Sequence, residues 1–132
     1  MFIGYRRGCK LMNQIIIVLP GCLRIKKNSK RIYGFGGFKK VLPSKGYEAW
    51  EAQARKHAWQ GAIIPPPTGP VSVEAHIFYK GKRPDLSGCM ESIGDCLQGI
   101  LWADDGQIES WDGTRLHHDL KNPRTEITVR WE

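Results

Sequence analysis

Residues 71–108 read VSVEAHIFYKGKRPDLSGCMESIGDCLQGILWADDGQI, and most of the predicted architecture follows from this stretch. Its first ten residues alternate apolar and polar side chains, which is the period of a half-buried β-strand. After a basic link, residues 86–98 repeat apolar side chains at helical spacing. The apolar stripe of this helix consists of Leu86, Met90, Ile93 and Leu97. Residues 104–106, Asp-Asp-Gly, then have the composition of a turn, so the stretch predicts a strand, a helix and an acidic turn.

The segment before this stretch predicts a further strand and a first helix. Residues 13–19 are short and β-branched, and Pro-Gly follows them, which is typical of a buried strand. Residues 23–40 are basic and rich in glycine, which indicates a flexible loop or a hairpin. Ser44 is a suitable N-cap for a helix. The apolar stripe of that helix consists of Tyr47, Trp50, Ala54 and Ala58.

Short strands follow the acidic turn, and together the elements predict an α+β fold. Residues 107–111, 115–120 and 127–131 have strand patterns. The prediction is a small single domain with a mixed sheet and two main helices. We assign residues 13–132 to this domain and residues 1–12 to a flexible N-terminal extension.

Charge is distributed very unevenly along this chain of 132 residues. The first 47 residues carry eleven Lys or Arg and no Asp or Glu, whereas no Lys or Arg occurs between Asp85 and Gly113. The acidic residues of that second stretch are Asp85, Glu91, Asp95, Asp104, Asp105, Glu109 and Asp112. Carboxylates bind hard divalent cations such as Mg²⁺, and basic segments bind phosphate backbones. The combination predicts an enzyme that cuts or joins nucleic acid with metal ions.

A structural interpretation of the same acids also stays open. Asp85 is placed to cap the second helix, Glu91 and Asp95 to line a solvated helix face, and Asp-Asp-Gly to form only a turn.

The composition excludes two other classes of protein. No apolar run approaches the ~18–20 residues that a membrane span needs, so we expect no membrane association. A run of only five apolar residues at 15–19 is too short for a secretion signal. The four cysteines include no Cys-x-x-Cys pair, and we interpret them as reduced packing residues of a cytosolic protein.

Four motifs in order resemble the RusA family of Holliday junction resolvases, which are common in bacteria and their phages. These motifs are Arg83-Pro84-Asp85-Leu86, Asp95-Cys96-Leu97-Gln98-Gly99, Asp104-Asp105-Gly106-Gln107-Ile108 and Asn122-Pro123-Arg124-Thr125-Glu126. Leu19-Pro20-Gly21 followed by Lys26-Lys27-Asn28-Ser29 is also similar to the family's opening strand and basic loop, so the resemblance covers about residues 13–131. It implies a homodimeric, Mg²⁺-dependent endonuclease, with Mn²⁺ as a possible substitute, that resolves four-way DNA junctions in recombination and repair. It also implies a location in the cytoplasm of a bacterial or phage-infected cell.

The resemblance assigns roles to individual acids of the chain. Asp85 matches the first Asp of the family's Asp-x-Asp pair. Asp105 matches the second acidic residue of the family's Asp-Asp-x-Gln motif, which is usually considered catalytic, and Asp104 lies beside it. Asp95 matches a supporting helix residue. Three positions depart from the pattern: Ser87 replaces the second Asp, Gly88 an Asn and Glu91 a Lys.

Glu91 is the residue that could compensate for the missing carboxylate. It follows Ser87 by one helical turn, so both lie on the same face of the helix. We therefore expect Asp85, Asp104, Asp105 and Glu91 to be the catalytic and metal-binding residues, with Asp95 and Ser87 in support. The alternative is an impaired site in a protein that only binds DNA junctions.

Basic residues supply the expected DNA contacts. The candidates in the basic segment are Lys26, Lys27, Asn28, Lys30, Arg31, Lys39 and Lys40. Lys82 and Arg83, next to Asp85, are the residues we expect to hold the phosphate that is cut. The alternative for the segment is a solvated basic loop. A third class of function, a metal enzyme acting on small phosphorylated molecules, would leave the eleven N-terminal cations unexplained.

Overall fold

A computed structural model describes residues 12–26 and 44–132 with their side chains, and only the strand backbone of residues 2–7, 10–11, 30–35 and 38–43. The elements in chain order are β1 (Phe2–Arg7), β2 (Lys10–Pro20), β3 (Lys30–Phe35), β4 (Phe38–Pro43), α1 (Lys45–Gln60), β5 (Val71–Tyr79), α2 (Leu86–Cys96), β6 (Ile108–Ser110), β7 (Arg115–His118) and β8 (Arg124–Trp131). A single 3₁₀ turn at Asp105–Gln107 precedes β6. This order confirms the predicted α+β fold with two main helices.

A mixed six-stranded sheet organises the domain. Its order is β1-β2-β8-β5, with antiparallel pairing throughout this part. The short strands β6 and β7 both pair in parallel with the remaining edge of β5. The strands β3 and β4 form a separate antiparallel hairpin, which is one of the two outcomes expected for the glycine-rich segment. Because β1 pairs with β2, the sheet reaches into the segment assigned to an N-terminal extension, and the domain boundary at residue 13 stays a prediction.

The core lies on the face of the sheet that the helices cover. Strand β5 buries every second residue from Val71 to Ile77, as its alternating sequence predicts. The matching positions of the neighbouring strands are Ile15, Ile17 and Leu19 of β2 and Thr125, Ile127, Val129 and Trp131 of β8. Period-two burial therefore gives three adjacent strands one apolar face.

Helix α1 has the start and the buried stripe that its sequence predicts. The Ser44 hydroxyl oxygen accepts a hydrogen bond from the Tyr47 backbone N–H at 3.1 Å. This bond satisfies one of the unpaired donors at the helix start. All four predicted stripe residues of α1 are buried.

Helix α2 is buried more widely than its predicted stripe. Ile93 and Leu97 are fully buried, but Leu86 is 36% exposed and Met90 only half-buried, so the stripe was wrong at its first turn. The buried residues of the helix are instead Gly88, Cys89, Ser92, Ile93, Gly94 and Cys96. Most of these side chains are small, so neighbouring segments can approach the helix on several sides. The spacing of large apolar residues in the sequence does not reveal this additional burial.

Trp102 provides a stability prediction. Its side chain is fully buried, and its Nε1–H donates to the Gly94 carbonyl oxygen of α2 at 3.0 Å. We expect Trp102→Phe to lower the free energy of unfolding by about 2–4 kcal/mol, through a void and an unpaired carbonyl. Urea denaturation would measure this, with Trp59→Phe as the control because Trp59 is 53% exposed. Equal stability of the two variants would contradict the prediction.

Candidate active site

Asp85 begins α2 directly after the link from β5. Its Oδ2 accepts hydrogen bonds from the Ser87 hydroxyl at 2.9 Å and from the Gly88 backbone N–H at 3.2 Å. Asp85 is therefore the N-cap of α2, as the structural interpretation of this residue expected. Among the described residues both bonds use the same oxygen, so Oδ1 keeps its lone pairs for a ligand.

A first clamp fixes Asp105 in the acidic turn. The Asp105 backbone N–H donates to Gln98 Oε1 at 3.1 Å. The Gln98 carbonyl in turn accepts from Arg55 Nη1 at 3.2 Å, and the same nitrogen donates to the Cys96 carbonyl at 2.6 Å. Arg55 thus satisfies carbonyls at the end of α2 and links α1 to the segment that carries Asp105.

A second clamp fixes the neighbouring Asp104. Its backbone N–H donates to Gln107 Oε1 at 2.7 Å. Gln107 Nε2 donates to the carbonyls of Pro67 at 2.7 Å and Gly69 at 2.8 Å. The proline-rich connector before β5 therefore holds the acidic turn in place through one side chain.

The acids of this region crowd around Asp105. Desolvation raises the pKa of the Asp105 carboxyl above its ordinary value, and the neighbouring Asp104 and Asp95 carboxylates raise it further. The structure thus brings together three of the acids that the sequence selected. A cation bound among them would relieve their mutual repulsion.

A shallow pocket of about 300 Å³ connects Asp105 with the N-terminal half of α2. Its lining residues are Ser87, Met90, Glu91, Gly94, Asp105, Ile108 and Trp111. Ser87 and Glu91 lie one helical turn apart on its wall, as predicted, and Ser87 carries the hydrogen bond to Asp85. Glu91 and Asp105 therefore line the same pocket, and Asp85 is hydrogen-bonded to a third lining residue, Ser87.

The donors fit a hard divalent cation chemically, but they do not form a complete cage. Carboxylate oxygens are the ligands that Mg²⁺ prefers. Within residues 12–26 and 44–132, however, no three or more His, Cys, Asp or Glu side chains are arranged to hold a metal ion. Convergence of Asp85, Glu91, Asp104 and Asp105 on one cation therefore stays a prediction.

The candidate DNA contacts are described only in part. Lys82 and Arg83 are exposed in the link immediately before Asp85. Lys26, which follows β2 in the chain, packs against α2, and its Nζ lies 3.8 Å from Asp95 Oδ2 of that helix. Lys27 and Asn28, and the side chains of Lys30, Arg31, Lys39 and Lys40, lie outside the described residues.

Two positioning residues were not identified from the sequence. Gln98 and Gln107 each lie within a motif of the sequence analysis, but neither was given a role. For Gln107 a signal was present, because an Asp followed three residues later by Gln is a capping-box pattern. No comparable local signal marks Gln98.

Comparison with known families identifies the family of the chain. The model of the family described as Endodeoxyribonuclease RusA matches residues 24–130, which include both clamps and every acid of the site. The chain belongs to the RusA family. A search of the curated proteins gave no match. RusA proteins are Holliday junction resolvases, so membership implies nuclease activity on branched DNA. In the described part of this RusA chain, no helix is long and apolar enough to cross a membrane.

Proposed function

We propose that this protein is a Mg²⁺-dependent crossover junction endodeoxyribonuclease that resolves four-way DNA junctions during recombination and repair. The observation that carries the proposal is the acidic turn, with Asp104 and Asp105 clamped by two glutamines beside the Glu91 face of α2. Bound Mg²⁺ would lower the pKa of an attacking water and neutralise charge on the phosphate. The protein would act in the cytoplasm of a bacterial or phage-infected cell.

Each acid has a separate task in this proposal. Asp104 and Asp105 would hold the cation from the turn, where their backbone is fixed and their charges are crowded. Asp85 would contribute from the start of α2, oriented by the Ser87 hydroxyl. Glu91 would replace the carboxylate that position 87 lacks. Asp95 would act on Asp105 electrostatically, as a supporting residue.

An impaired junction-binding protein is the second candidate. Two observations favour it. Among the described residues no three His, Cys, Asp or Glu side chains are arranged to hold a metal ion, and Ser87 and Glu91 depart from the family pattern. Such a protein would keep its basic surface and bind junctions without cutting them.

A cleavage assay separates the two candidates. A four-way junction and a linear duplex of the same arm sequence would be incubated with the protein and Mg²⁺, and in parallel with Mn²⁺. We expect cuts in the junction and none in the duplex. Salt-sensitive junction binding without cleavage in either metal would establish the second candidate.

Lys82 and Arg83 are expected to bind phosphates without reading sequence. We expect the double substitution of both residues by Ala to weaken junction binding about tenfold at moderate salt. It should also lower the slope of log affinity against log salt by about two. Fluorescence anisotropy on two unrelated junction sequences would measure both quantities, with exposed Lys56→Ala as the control. A loss confined to one sequence would contradict this assignment.

Two copies of the chain would supply the two symmetric cuts that resolution needs, because a two-fold dimer presents two identical sites. On the sheet face opposite the helices, Ile16 and Val18 of β2 are 45% and 50% exposed. Adjacent exposed apolar residues of this kind favour association over a solvated surface. Sedimentation equilibrium should give a dimer, and Ile16→Lys with Val18→Lys should shift it toward the monomer.

A further inference from the structure

One face of α2 binds the segment that follows β2. The face consists of Gly88, Ser92 and Asp95, which are spaced at i, i+4 and i+7. A Cβ atom on Gly88 would lie only 2.8 Å from Ile25 Cγ2, so the close packing of Ile25 requires glycine there. The Lys26 backbone N–H donates to the buried Ser92 hydroxyl at 3.1 Å. The backbone of Lys26 is thereby fixed on the helix that carries the acidic site.

The Lys26 side chain extends from this fixed backbone toward the carboxylates. Its Nζ lies 3.8 Å from Asp95 Oδ2 and 5.9 Å from the centre of the Tyr47 ring. Asp95 follows Gly94 on α2, and a Cβ atom added to Gly94 would lie 3.5 Å from Asp105 Cβ. Lys26 and Asp105 therefore contact neighbouring positions of the same helix.

The ion pair between Lys26 and Asp95 is exchangeable. The two side chains are 46% and 42% exposed, and ion pairs this open to solvent contribute little to stability. A phosphodiester gains additional negative charge in the transition state of its hydrolysis, so at that point it can compete with a single carboxylate for the ammonium group. Its fixed backbone keeps the ammonium within reach of the site during such an exchange.

The site needs a cation of its own, because a phosphodiester must approach several carboxylates. The stretch from Asp85 to Gly113 contains no Lys or Arg. Among the ion pairs of the described residues, the one that involves an acid of this stretch is that of Lys26 with Asp95. A positive group preorganised beside developing charge lowers the barrier of phosphoryl transfer.

We infer that Lys26 is the cation that contacts the phosphate being cut. It is held by Asp95 in the free protein, and Gly88 and Ser92 act as its positioning residues. This inference rests on the proposed nuclease function. It separates Lys26 from the other basic residues of the segment 23–40, which the sequence assigns to contacts with the DNA backbone.

The test compares Lys26→Met with Lys26→Arg and with a matched control, Lys56→Met, which removes one exposed charge from α1. Three quantities would be measured: the single-turnover cleavage rate at saturating junction, the junction Kd in Ca²⁺, and the Mn²⁺ affinity without DNA. For Lys26→Met we expect cleavage to slow by at least about tenfold. We expect Mn²⁺ to bind about threefold to tenfold more tightly, because a like charge leaves the carboxylates. Lys26→Arg should keep most of the rate, and Lys56→Met should change none of the three quantities.

Two results would overturn the inference. One is a weaker junction Kd with an unchanged saturating rate, which would make Lys26 an ordinary backbone contact. The other is an unchanged Mn²⁺ affinity in Lys26→Met, which would show that the charge of Lys26 does not act on the metal-binding carboxylates. If the unsubstituted protein cleaves nothing, the proposed function fails, and the Mn²⁺ measurement alone then supports or overturns the placement of Lys26.

Discussion

Asp105→Asn is expected to lower Mg²⁺-dependent cleavage of a four-way junction by at least about a thousandfold, with junction affinity within about threefold of the unsubstituted protein. The substitution keeps the size of the side chain and the backbone bond to Gln98, and it removes one of three crowded carboxylates, the other two being those of Asp104 and Asp95. Single-turnover rates at saturating junction would measure the loss, and binding in Ca²⁺ would show that the DNA still associates.

Asp112→Asn is the matched control for this experiment. Asp112 lies in the same acidic stretch and is exposed, but it is not among the residues that line the pocket with Asp105. Its removal of one negative charge should leave the cleavage rate unchanged. Equal rates for Asp105→Asn and Asp112→Asn would remove Asp105 from the catalytic residues.

Glu91→Gln is expected to have the second largest effect, because Glu91 stands where the chain leaves the family pattern. If its carboxylate replaces the one missing at position 87, the amide should abolish Mg²⁺-dependent cleavage and leave junction binding nearly intact. Both residues line the pocket that contains Asp105, so the replacement needs no rearrangement of α2. The same single-turnover assay would measure the loss.

Two companion variants make the result for Glu91 interpretable. Ser87→Asp should be tolerated or should raise Mn²⁺ affinity, because it restores a carboxylate beside Asp85. If the unsubstituted protein binds junctions without cutting them, Ser87→Asp combined with Glu91→Lys should restore cleavage. Full activity of Glu91→Gln would show that Glu91 is a solvated helix residue and would leave the aspartates to hold the metal.

Local patterns in the sequence were sufficient for most elements of the fold, but not for β1, which lies in the segment assigned to an extension. Strand β5 was predicted from period-two alternation, and α1 from a capping serine and a stripe of four apolar residues. These features depend on side chains a few positions apart, which a sequence displays directly. Leu86 was misassigned because the first turn of a helix can meet apolar spacing and still face solvent.

Contacts between distant segments could not be predicted in the same way. Lys26 and Ser92 are 66 residues apart, and Gln107 and Pro67 are 40 apart. Nothing in the local sequence of either partner specifies the other, since any exposed amide or hydroxyl can form such a bond. The sequence therefore selected the acids of the site but not the glutamines that hold them, nor the role of Lys26 beside them.

The place of β8 in the sheet has a consequence for the synthesis of the protein. Strand β8 follows every other described strand along the chain, yet it lies between β2 and β5 and pairs with both. In a nascent chain that has left the ribosome only as far as β7, β2 and β5 therefore lack the strand that pairs with both of them. Pairings of such large sequence separation, 116 residues for Gln14 and Arg130, form slowly. We therefore expect the acids to be carried on an incomplete sheet until β8 has emerged, so that the candidate site is completed only after translation of this strand.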